Sequence, residues 1–334
     1  MGLEILWFLL VTVLFVAFFF LEGFTYGSGI LLPLVAKSDL ERRIIFNTVG
    51  PVWGGNQVWM ITAGGAVFAA FPNWYATLFS GFYLPLSLIL VALILRGIAL
   101  EFRSKDENSL WRALWDYCFF IGSLIAAFVW GVAMANLLKG VPIDANMHYV
   151  GGFFNLFTPF TLIMGLLFVL LFSYHGALFL ALKTTGEILS RIKKIFFPLW
   201  LVIIANYFAM ILFLFLETDA LNKTAPSVAL TVGLLVLGGV NFLVGFGRFG
   251  FAFIFSSIGI TAVIATIFTG LFPRVMVSSL DPEWSLTIFN SASGPVTLKV
   301  MAIVAIILVP IIIAYQAWSY WIFRKPVDLN ELEY

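Results

Sequence analysis

The chain contains nine stretches of about 20 or more predominantly apolar residues, and this feature constrains its fold more than any other. A helix of that length spans the hydrocarbon core of a membrane. Only 10% of the 334 residues are charged, against about 25% in a soluble domain. We therefore predict an all-α, multi-pass membrane protein that forms a single domain over residues 1–334. The predicted spans are residues 5–36, 51–72, 77–101, 111–138, 157–182, 193–217, 224–246, 249–273 and 297–323.

Lysine and arginine residues lie predominantly on one side of the predicted membrane. Alternate loops and the C-terminal segment carry most of them, whereas the opposite loops carry only Lys139, Lys223 and Arg274, with Lys299 at the start of the last span. Because loops rich in basic residues stay in the cytoplasm, the N-terminus is predicted to lie outside and the C-terminus inside. Nine spans, an odd number, are consistent with that orientation.

The sequence also argues against several classes of function. The single cysteine, Cys118, permits no internal disulfide and no cysteine-ligated metal site. The spacing of His, Cys and carboxylate residues predicts no metal site, and the basic residues form no patch of the kind that binds nucleic acid. Gly245–Gly250 matches G-x-G-x-x-G, but it joins two membrane spans and follows no strand, so it does not indicate a dinucleotide site.

Polar residues in the second span are the first candidates for function. Trp53, Asn56 and Gln57, with residues 60 and 64, recur at helical spacing and define one side of a helix. Unpaired polar groups at membrane depth cost several kcal/mol. This side is therefore predicted to face protein, water or a cofactor instead of lipid.

Glu22 lies deep in the first span, about 26 Å from its outer start at 1.5 Å per residue. Gly23 and Gly27 follow it at the spacing typical of close helix contacts, which predicts that Glu22 is buried in protein. Arg96, near the end of the third span, is the predicted counter-charge. Together these residues predict a polar inlet from the cytoplasm, with carboxylates able to relay protons.

Three further polar residues share the same third of the membrane. Glu101 ends the third span, Asp116 opens the fourth, and His175 lies late in the fifth. For Glu101 and Asp116 the alternative is that they reach the membrane interface and pair there. For His175 the alternatives are a haem or metal ligand and a hydrogen-bonded packing residue. The second is favoured, because haem iron usually has a second protein ligand and His148, the only other histidine, is in an outer loop.

Several motifs occur in a distinctive order along the chain. They are LEGFTYGSGILLPLVAKSDLERRIIFNTVGPVWGGNQVWMITAGGAVFAAFP, FSGFYLPL, LRGIALEFRSK, SSLDPEWSLTIFNSASGPVTLKVM and VPIIIAYQAWSYWIFR. In these motifs the chain resembles subunit II of the cytochrome bd quinol oxidases, from about residue 6 to residue 324. Residues 195–245 are only generically similar.

The resemblance implies a multi-pass subunit of a complex in the cytoplasmic membrane of a bacterium or archaeon. Such complexes oxidise quinol, reduce dioxygen to water with protons from the cytoplasm, and generate a proton-motive force. Subunit I carries two b-type haems, one d-type haem and the quinol-oxidising loop. Subunit II has nine spans, arranged as two four-helix bundles plus one peripheral helix. It contributes no axial haem ligand, and in some members it holds a structural quinone.

Subunit I is therefore the expected partner, and a small single-helix accessory subunit is a further candidate. The chain alone is expected to be non-catalytic. The resemblance also implies that this subunit lends residues to a proton route toward haem d. The matching positions are Glu22, Trp53, Asn56, Gln57, Arg96 and Glu101.

Two positions depart from the family pattern. Gly54 stands where many members have Asp, and Thr25 replaces a frequent acidic residue. A route that relies on those acids would have to use Glu22, water and the amides instead, or lie in another subunit.

Two other classes of function remain as alternatives. A secondary transporter also has intramembrane charges and kinked spans, although such proteins usually show inverted repeats and broken helices near the midplane. The sequence shows neither feature. An assembly scaffold without a proton role is the third interpretation.

Overall fold

The computed structural model describes residues 2–327 and residue 332. The other residues of the predicted 1–334 domain, namely 1, 328–331, 333 and 334, lie outside the described residues. The described part is helical, with one small two-stranded sheet. Its helices are α1 (Leu3–Val35), α2 (Asp39–Ala70), α3 (Pro72–Gly81), α4 (Tyr83–Phe102), α5 (Ser109–Lys139), α6 (Pro159–Lys183), α7 (Gly186–Glu217), α8 (Thr224–Gly245), α9 (Phe249–Leu271) and α10 (Pro295–Ile322).

Eight of the helices in the described residues are long and apolar enough to cross a membrane. The all-α, multi-pass prediction is confirmed at this level, although the sequence predicted nine spans. The helix over the second predicted span, α2, has 32 residues, but its charged first turn, amides and glycines make it less apolar than the other long helices. The remaining helix, α3, has only 10 residues.

The third predicted span, residues 77–101, is wrong as one continuous helix. The structure divides it at Phe82, where α3 ends and α4 begins. Pro85 explains the division: in a continuous helix its ring would clash with the carbonyl of Gly81, and it has no N–H to donate. After the break the chain resumes helical bonding, with the N–H of Leu86 donating to the carbonyl of Phe82 at 2.8 Å.

The start of α2 lies at Asp39, well before the second predicted span begins at residue 51. Ser38 and Glu41 form a capping box, in which each side chain accepts a hydrogen bond from the other residue's backbone N–H. Burial would raise the pKa of the Glu41 carboxyl, but hydrogen bonds from the Lys37 N–H, Arg191 and the Ser38 N–H outweigh it and lower that pKa. The charged residues before the span therefore extend the helix.

The first helix, α1, is at the centre of the molecule and contacts α2, α5, α6 and α9. The α1–α6 contact is close enough to require glycine on both helices. A Cβ added to Gly27 would lie 1.8 Å from the Phe172 carbonyl oxygen, and one added to Gly176 would lie 2.5 Å from the Gly27 carbonyl carbon. The close helix contact predicted from Gly23 and Gly27 is present, and it buries the middle of α1.

The last helix, α10, is peripheral: Leu298 and Ala302 are its only buried residues among those described. Near its start, the indole N–H of Trp7 donates to the Leu298 carbonyl at 2.9 Å. Just past its end, the Lys183 ammonium donates to the Phe323 carbonyl. The helix is thus attached near both ends and packs loosely between them.

The two long loops predicted to share the outer side, residues 139–156 and 274–296, pack against each other. The second loop contains the antiparallel strands β1 (Arg274–Met276) and β2 (Leu286–Thr287). The N–H of Val141 in the first loop donates to the carbonyl of Val277 in the second at 3.0 Å. The loops therefore form one small structured cap on the helices.

Candidate functional site

A buried ion pair joins α1 to α4. Arg96 Nη1 donates to Glu22 Oε1 at 2.6 Å, and the two side chains are 1% and 0% exposed. An uncompensated charge at this depth is expensive, so the pairing of the two groups offsets the cost of burying them. The structure thus places Arg96 as the counter-charge of Glu22, as the sequence predicted.

Two hydroxyl groups hold the Arg96 guanidinium in place. Its Nε donates to Ser123 Oγ at 2.9 Å, and its Nη2 donates to Thr25 Oγ1 at 3.0 Å. Each hydroxyl donates its own hydrogen to a carbonyl one turn earlier on its helix. The guanidinium also lies over the ring of Tyr26, with 4.5 Å between the Arg96 Cζ and the ring centroid. The arginine is therefore fixed by α1 and α5 as well as by the carboxylate.

The two oxygens of Glu22 have different surroundings. Oε1 accepts from Arg96 and, at 3.5 Å, from Gln57 Nε2. Oε2 is buried and has no hydrogen-bond partner among the described residues. One oxygen is thus held by the cation, whereas the other is available to bind a proton or a donor.

Asn56 connects α2 to α10 beside this pair. Its Oδ1 accepts from Gln316 Nε2 at 3.0 Å and from Tyr320 Oη at 2.6 Å, and its Nδ2 donates to the Leu21 carbonyl at 2.9 Å. The sequence analysis missed Gln316 and Tyr320. The available signal was their spacing of four residues within an apolar span, which puts two polar groups on one side of a helix.

The buried side of α2 differs from the predicted one. Trp53, Gln57, Met60 and Gly64 are only half-buried, and Asn56 is the one member of the predicted side that is fully buried. The helix is rotated so that Trp59 turns inward. The buried positions of its membrane half are Val52, Asn56, Trp59, Ala63, Ala66, Val67 and Ala70.

Glu101 and Asp116 do not join the Glu22 pair. Glu101 is exposed. Asp116 accepts from Arg103 Nε at 2.6 Å and from Arg42 Nη1 at 2.9 Å, and Arg103 Nη2 also donates to Asp39 at 2.8 Å. Asp116 therefore fits the alternative of pairing near the interface. We call the group of Asp39, Arg42, Arg103, Arg112 and Asp116 the terminal ion cluster.

An aromatic layer separates the terminal ion cluster from the Glu22 pair. The Arg103 Cζ lies 5.3 Å from the Phe46 ring centroid, the Phe46 and Phe119 centroids are 4.8 Å apart, and the Arg96 Cζ lies 5.5 Å from the Phe119 centroid. Both phenylalanines are fully buried. The polar groups that the sequence placed in one inlet therefore form two sites with two aromatic rings between them.

Both ring nitrogens of His175 are engaged within the protein. Nε2 lies 3.0 Å from the Phe20 carbonyl oxygen and Nδ1 lies 2.7 Å from Ser256 Oγ. A carbonyl can only accept, so Nε2 carries the hydrogen, and Nδ1 accepts from the serine. The ring also stacks on Phe253, with centroids 4.3 Å apart. His175 therefore does not fit an axial haem ligand, and within the described residues no group of His, Cys, Asp and Glu forms a metal site.

A cavity of about 890 Å³ lies between α1, α2 and α10. Its lining is almost entirely apolar, from residues such as Leu14 and Val304, and it reaches Gln316 and Tyr320 near the end of α10. Trp59 also lines it, but its indole nitrogen is itself enclosed and has no partner among the described residues. A cavity of this size and lining suits a long apolar chain.

A model of the cytochrome bd terminal oxidase subunit II family matches residues 3–323. The chain belongs to this family. It is 41% identical to the cytochrome bd ubiquinol oxidase subunit 2 of Bacillus subtilis (strain 168), over 99% of this chain and 98% of the relative. It is 36% identical to the cytochrome bd-I ubiquinol oxidase subunit 2 of Escherichia coli (strain K12), over 99% and 97%. This subunit II is therefore a multi-pass membrane component of a haem-containing oxidoreductase complex.

The fold also resembles that of a solved oxidase. A chain in the structure of bd oxidase from Geobacillus thermodenitrificans superposes with a TM-score of 0.80 at 18% identity, covering 97% of this chain and 99% of that one. At this identity the likeness supports the fold alone.

The two departures from the family motif lie in different environments. Gly54 is exposed, and a Cβ added there would meet no atom within 4 Å. Thr25 lies at the ion pair, where its hydroxyl accepts from Arg96. Thr25 thus supplies a hydrogen-bond acceptor for the arginine, whereas residue 54 lies in an exposed part of α2.

Proposed function

We propose that this subunit II supports the haem-bearing subunit I of a quinol:dioxygen oxidoreductase and ligates no haem itself. The two b-type haems and the d-type haem are then held by subunit I. The geometry of His175 supports this assignment, because a ligand nitrogen would have to give up its hydrogen bond to Phe20 or to Ser256. When bound in the complex, the haems supply the electron transfer and oxygen chemistry.

Changing His175 to Gln is expected to leave the haem bands of the purified complex in place, because Gln can keep a donor and an acceptor at this position. Optical spectra of the wild-type and variant complexes, compared per mole of protein, measure this. Subunit II purified alone should show no haem absorption. Loss of one haem band in an otherwise assembled H175Q complex would assign His175 as a ligand and contradict the proposal.

For the membrane arrangement, we propose that α2 is the ninth span beside the eight more apolar helices. The N-terminus then lies outside and the C-terminus in the cytoplasm, in agreement with the distribution of basic residues. Two four-helix bundles and a peripheral α10 are consistent with this count, and the low burial of α10 supports its peripheral position.

We further propose that Glu22 binds and releases protons drawn from the cytoplasm for oxygen reduction. The observation that carries this proposal is the buried Glu22–Arg96 pair with an unpartnered Oε2. Arginine stays charged in proteins, so protonation of Glu22 changes the charge of the pair while Ser123 and Thr25 hold Arg96 in place. Oxygen reduction by the E22Q/R96Q complex, which lacks both charges, tests this role.

The proton is proposed to reach Glu22 from the α2–α10 side. Gln57 contacts the carboxylate there, and Asn56, Gln316 and Tyr320 form a hydrogen-bonded group next to it. On the α4–α5 side, the rings of Phe46 and Phe119 exclude a continuous row of polar groups. The terminal ion cluster then stabilises the ends of the helices and takes no part in proton transfer.

The cavity between α1, α2 and α10 is the proposed place for the structural quinone that some family members hold. Its apolar lining fits an isoprenoid tail. A phospholipid acyl chain has the same apolar chemistry and is the other source of such a ligand.

Filling this cavity with a large side chain is expected to displace its occupant. Ala305 lines the cavity, and Ala305→Trp should weaken binding of a quinone tail or acyl chain about ten- to hundredfold by overpacking. Ile306→Trp is the matched control, because residue 306 is 72% exposed on the same helix. Mass spectrometry of extracts from the purified complexes counts the quinone and lipid retained. Equal retention in both variants would contradict the assignment.

A further inference from the structure

In the part of the chain that the structure describes, three buried polar atoms near the ion pair lack a hydrogen-bond partner of normal geometry: Glu22 Oε2, the Tyr26 hydroxyl and the Trp130 indole nitrogen. Glu22 and Tyr26 are 0% exposed, and Trp130 is 7% exposed. Buried polar groups are nearly always paired with protein or with ordered water. Three unpaired groups in one region therefore point to a shared partner.

The packing of α1 brings these atoms to one place. Tyr26 follows Glu22 by four residues, so both lie on the same side of the helix. The Tyr26 ring leans toward the start of α1, since its centroid lies 6.4 Å from that of Phe18 in an edge-to-face contact. The Trp130 ring from α5 meets the same Phe18, with centroids 5.5 Å apart. Tyr26 thus runs alongside Glu22 toward Trp130.

Arg96 links the tyrosine to the carboxylate. Its guanidinium binds Glu22 Oε1 at 2.6 Å and lies 4.5 Å above the Tyr26 ring. The cation therefore fixes the orientation of both side chains, and neither can turn away from the other without breaking a contact with Arg96. Trp130 is held similarly by the rings of Phe18 and Phe19.

We propose that Glu22 Oε2, the Tyr26 hydroxyl and the Trp130 indole N–H form a binding site for an internal water molecule. The water accepts a hydrogen bond from the Trp130 indole N–H and donates one to Glu22 Oε2. The Tyr26 hydroxyl either donates to the water or accepts from it. These three groups supply the two to four polar partners that a buried water requires. The Trp130 indole lies close to the Tyr26 hydroxyl, but no hydrogen bond of normal geometry satisfies any of the three groups within the described residues.

This inference rests on the proposed proton role of Glu22 and extends it. When Glu22 is protonated at Oε2, the same water accepts that hydrogen, so the proton can pass to the water without movement of Arg96. Tyr26 and Trp130 are then positioning residues for the water. The water site lies inside this chain, so the subunit has a second proton-binding position beside the Glu22 carboxylate.

The test uses the assembled complex and the infrared band of the Glu22 carboxyl group, ionised or protonated, identified as the band that disappears in the E22Q/R96Q variant. Tyr26→Phe keeps the ring under Arg96 and removes one partner of the water. The band is expected to shift, and oxygen reduction to slow about two- to tenfold, the effect of one lost hydrogen bond. Tyr174→Phe is the matched control, since the Tyr174 hydroxyl is likewise buried without a partner among the described residues, but its ring packs against Phe196 between α6 and α7.

A second measurement keeps the proposal testable if Tyr26→Phe assembles poorly. A density map of the wild-type complex that resolves waters should show one within hydrogen-bonding distance of Glu22 Oε2 and Tyr26 Oη. Direct contact between these two atoms without a water, or an unshifted Glu22 band in Tyr26→Phe, overturns the inference. If E22Q/R96Q turns over normally while the Tyr26→Phe band shifts, the proton role fails and the water site stands.

Discussion

Replacing Arg96 with Gln is expected to destabilise subunit II by about 3–5 kcal/mol, because it leaves the Glu22 carboxylate buried without its cation. The loss of the bonds to Ser123 and Thr25 acts in the same direction. The measurement is the thermal unfolding of the purified complex, together with the amount of subunit II that assembles. We expect this to be among the most damaging single polar substitutions in the chain.

The double variant E22Q/R96Q is the decisive control. It removes both charges and leaves two amides that can hydrogen-bond to each other, so most of the lost stability should return. Arg112→Gln provides the matched comparison for removal of a guanidinium alone. Its partner Asp39 is 44% exposed and Arg112 itself is 26% exposed, so the expected cost is about 1 kcal/mol or less. A double variant as unstable as R96Q would show that the charge pairing is not the cause.

The Glu22–Arg96 contact was predictable from sequence because each residue is expensive in its own span. A lone carboxylate deep in an apolar helix needs a cation, and Arg96 was the only basic residue inside a predicted span away from its start. Gly27 supplied a second signal, since small residues mark helices that approach closely. In these cases the energetic demand of a single residue indicates its environment.

Other features depended on which helices become neighbours, and the periodicity of one helix does not contain that information. Asn56 finds its partners, Gln316 and Tyr320, on a helix more than 250 residues away in sequence. The rotation of α2 follows from the same neighbours, because Asn56 must face both α1 and α10. The predicted membrane depth also grouped Asp116 with Glu22, whereas in the structure the packed rings of Phe46 and Phe119 lie between the two carboxylates.

The position of Glu101 shows that membrane depth alone does not predict which residues lie together, because the angle around the helix also matters. It lies five residues after Arg96, about 140° further around α4 at 100° per residue, and the structure exposes it while burying Arg96 fully. The break at Phe82 was readable in principle from Pro85, but apolar content from residue 77 to 101 gave the stronger signal. Hydropathy therefore predicted that a span is present, but it did not indicate that the helix is divided at Phe82.

The aromatic layer has a consequence for transport through the subunit. A proton that entered at the terminal ion cluster would have to cross the Phe46 and Phe119 rings, which offer no acceptor. The amides of α2 and the polar pair on α10 offer acceptors and donors on the other side of Glu22. Under the proposed proton role of Glu22, protons therefore approach the carboxyl group from this side alone, and substitutions there should act through Glu22.

If Glu22 carries protons, the E22Q/R96Q complex is expected to assemble with normal haem content yet reduce oxygen about 100-fold more slowly. Positioned acid–base groups typically contribute factors of that size or larger, and the neutral amide of Gln cannot accept and release a proton at this site. The single variant E22Q is a poorer test, because it leaves Arg96 buried without a counter-charge and mixes instability with lost function. Oxygen consumption with quinol, normalised to haem, gives the rate.

Proton uptake can be followed with a pH-indicating dye during one turnover. This measurement separates slow proton delivery from slow electron transfer, since only proton delivery should lag in the variant. Turnover within a factor of about two of wild type would remove Glu22 from the proton route and leave the ion pair as a structural link between α1 and α4.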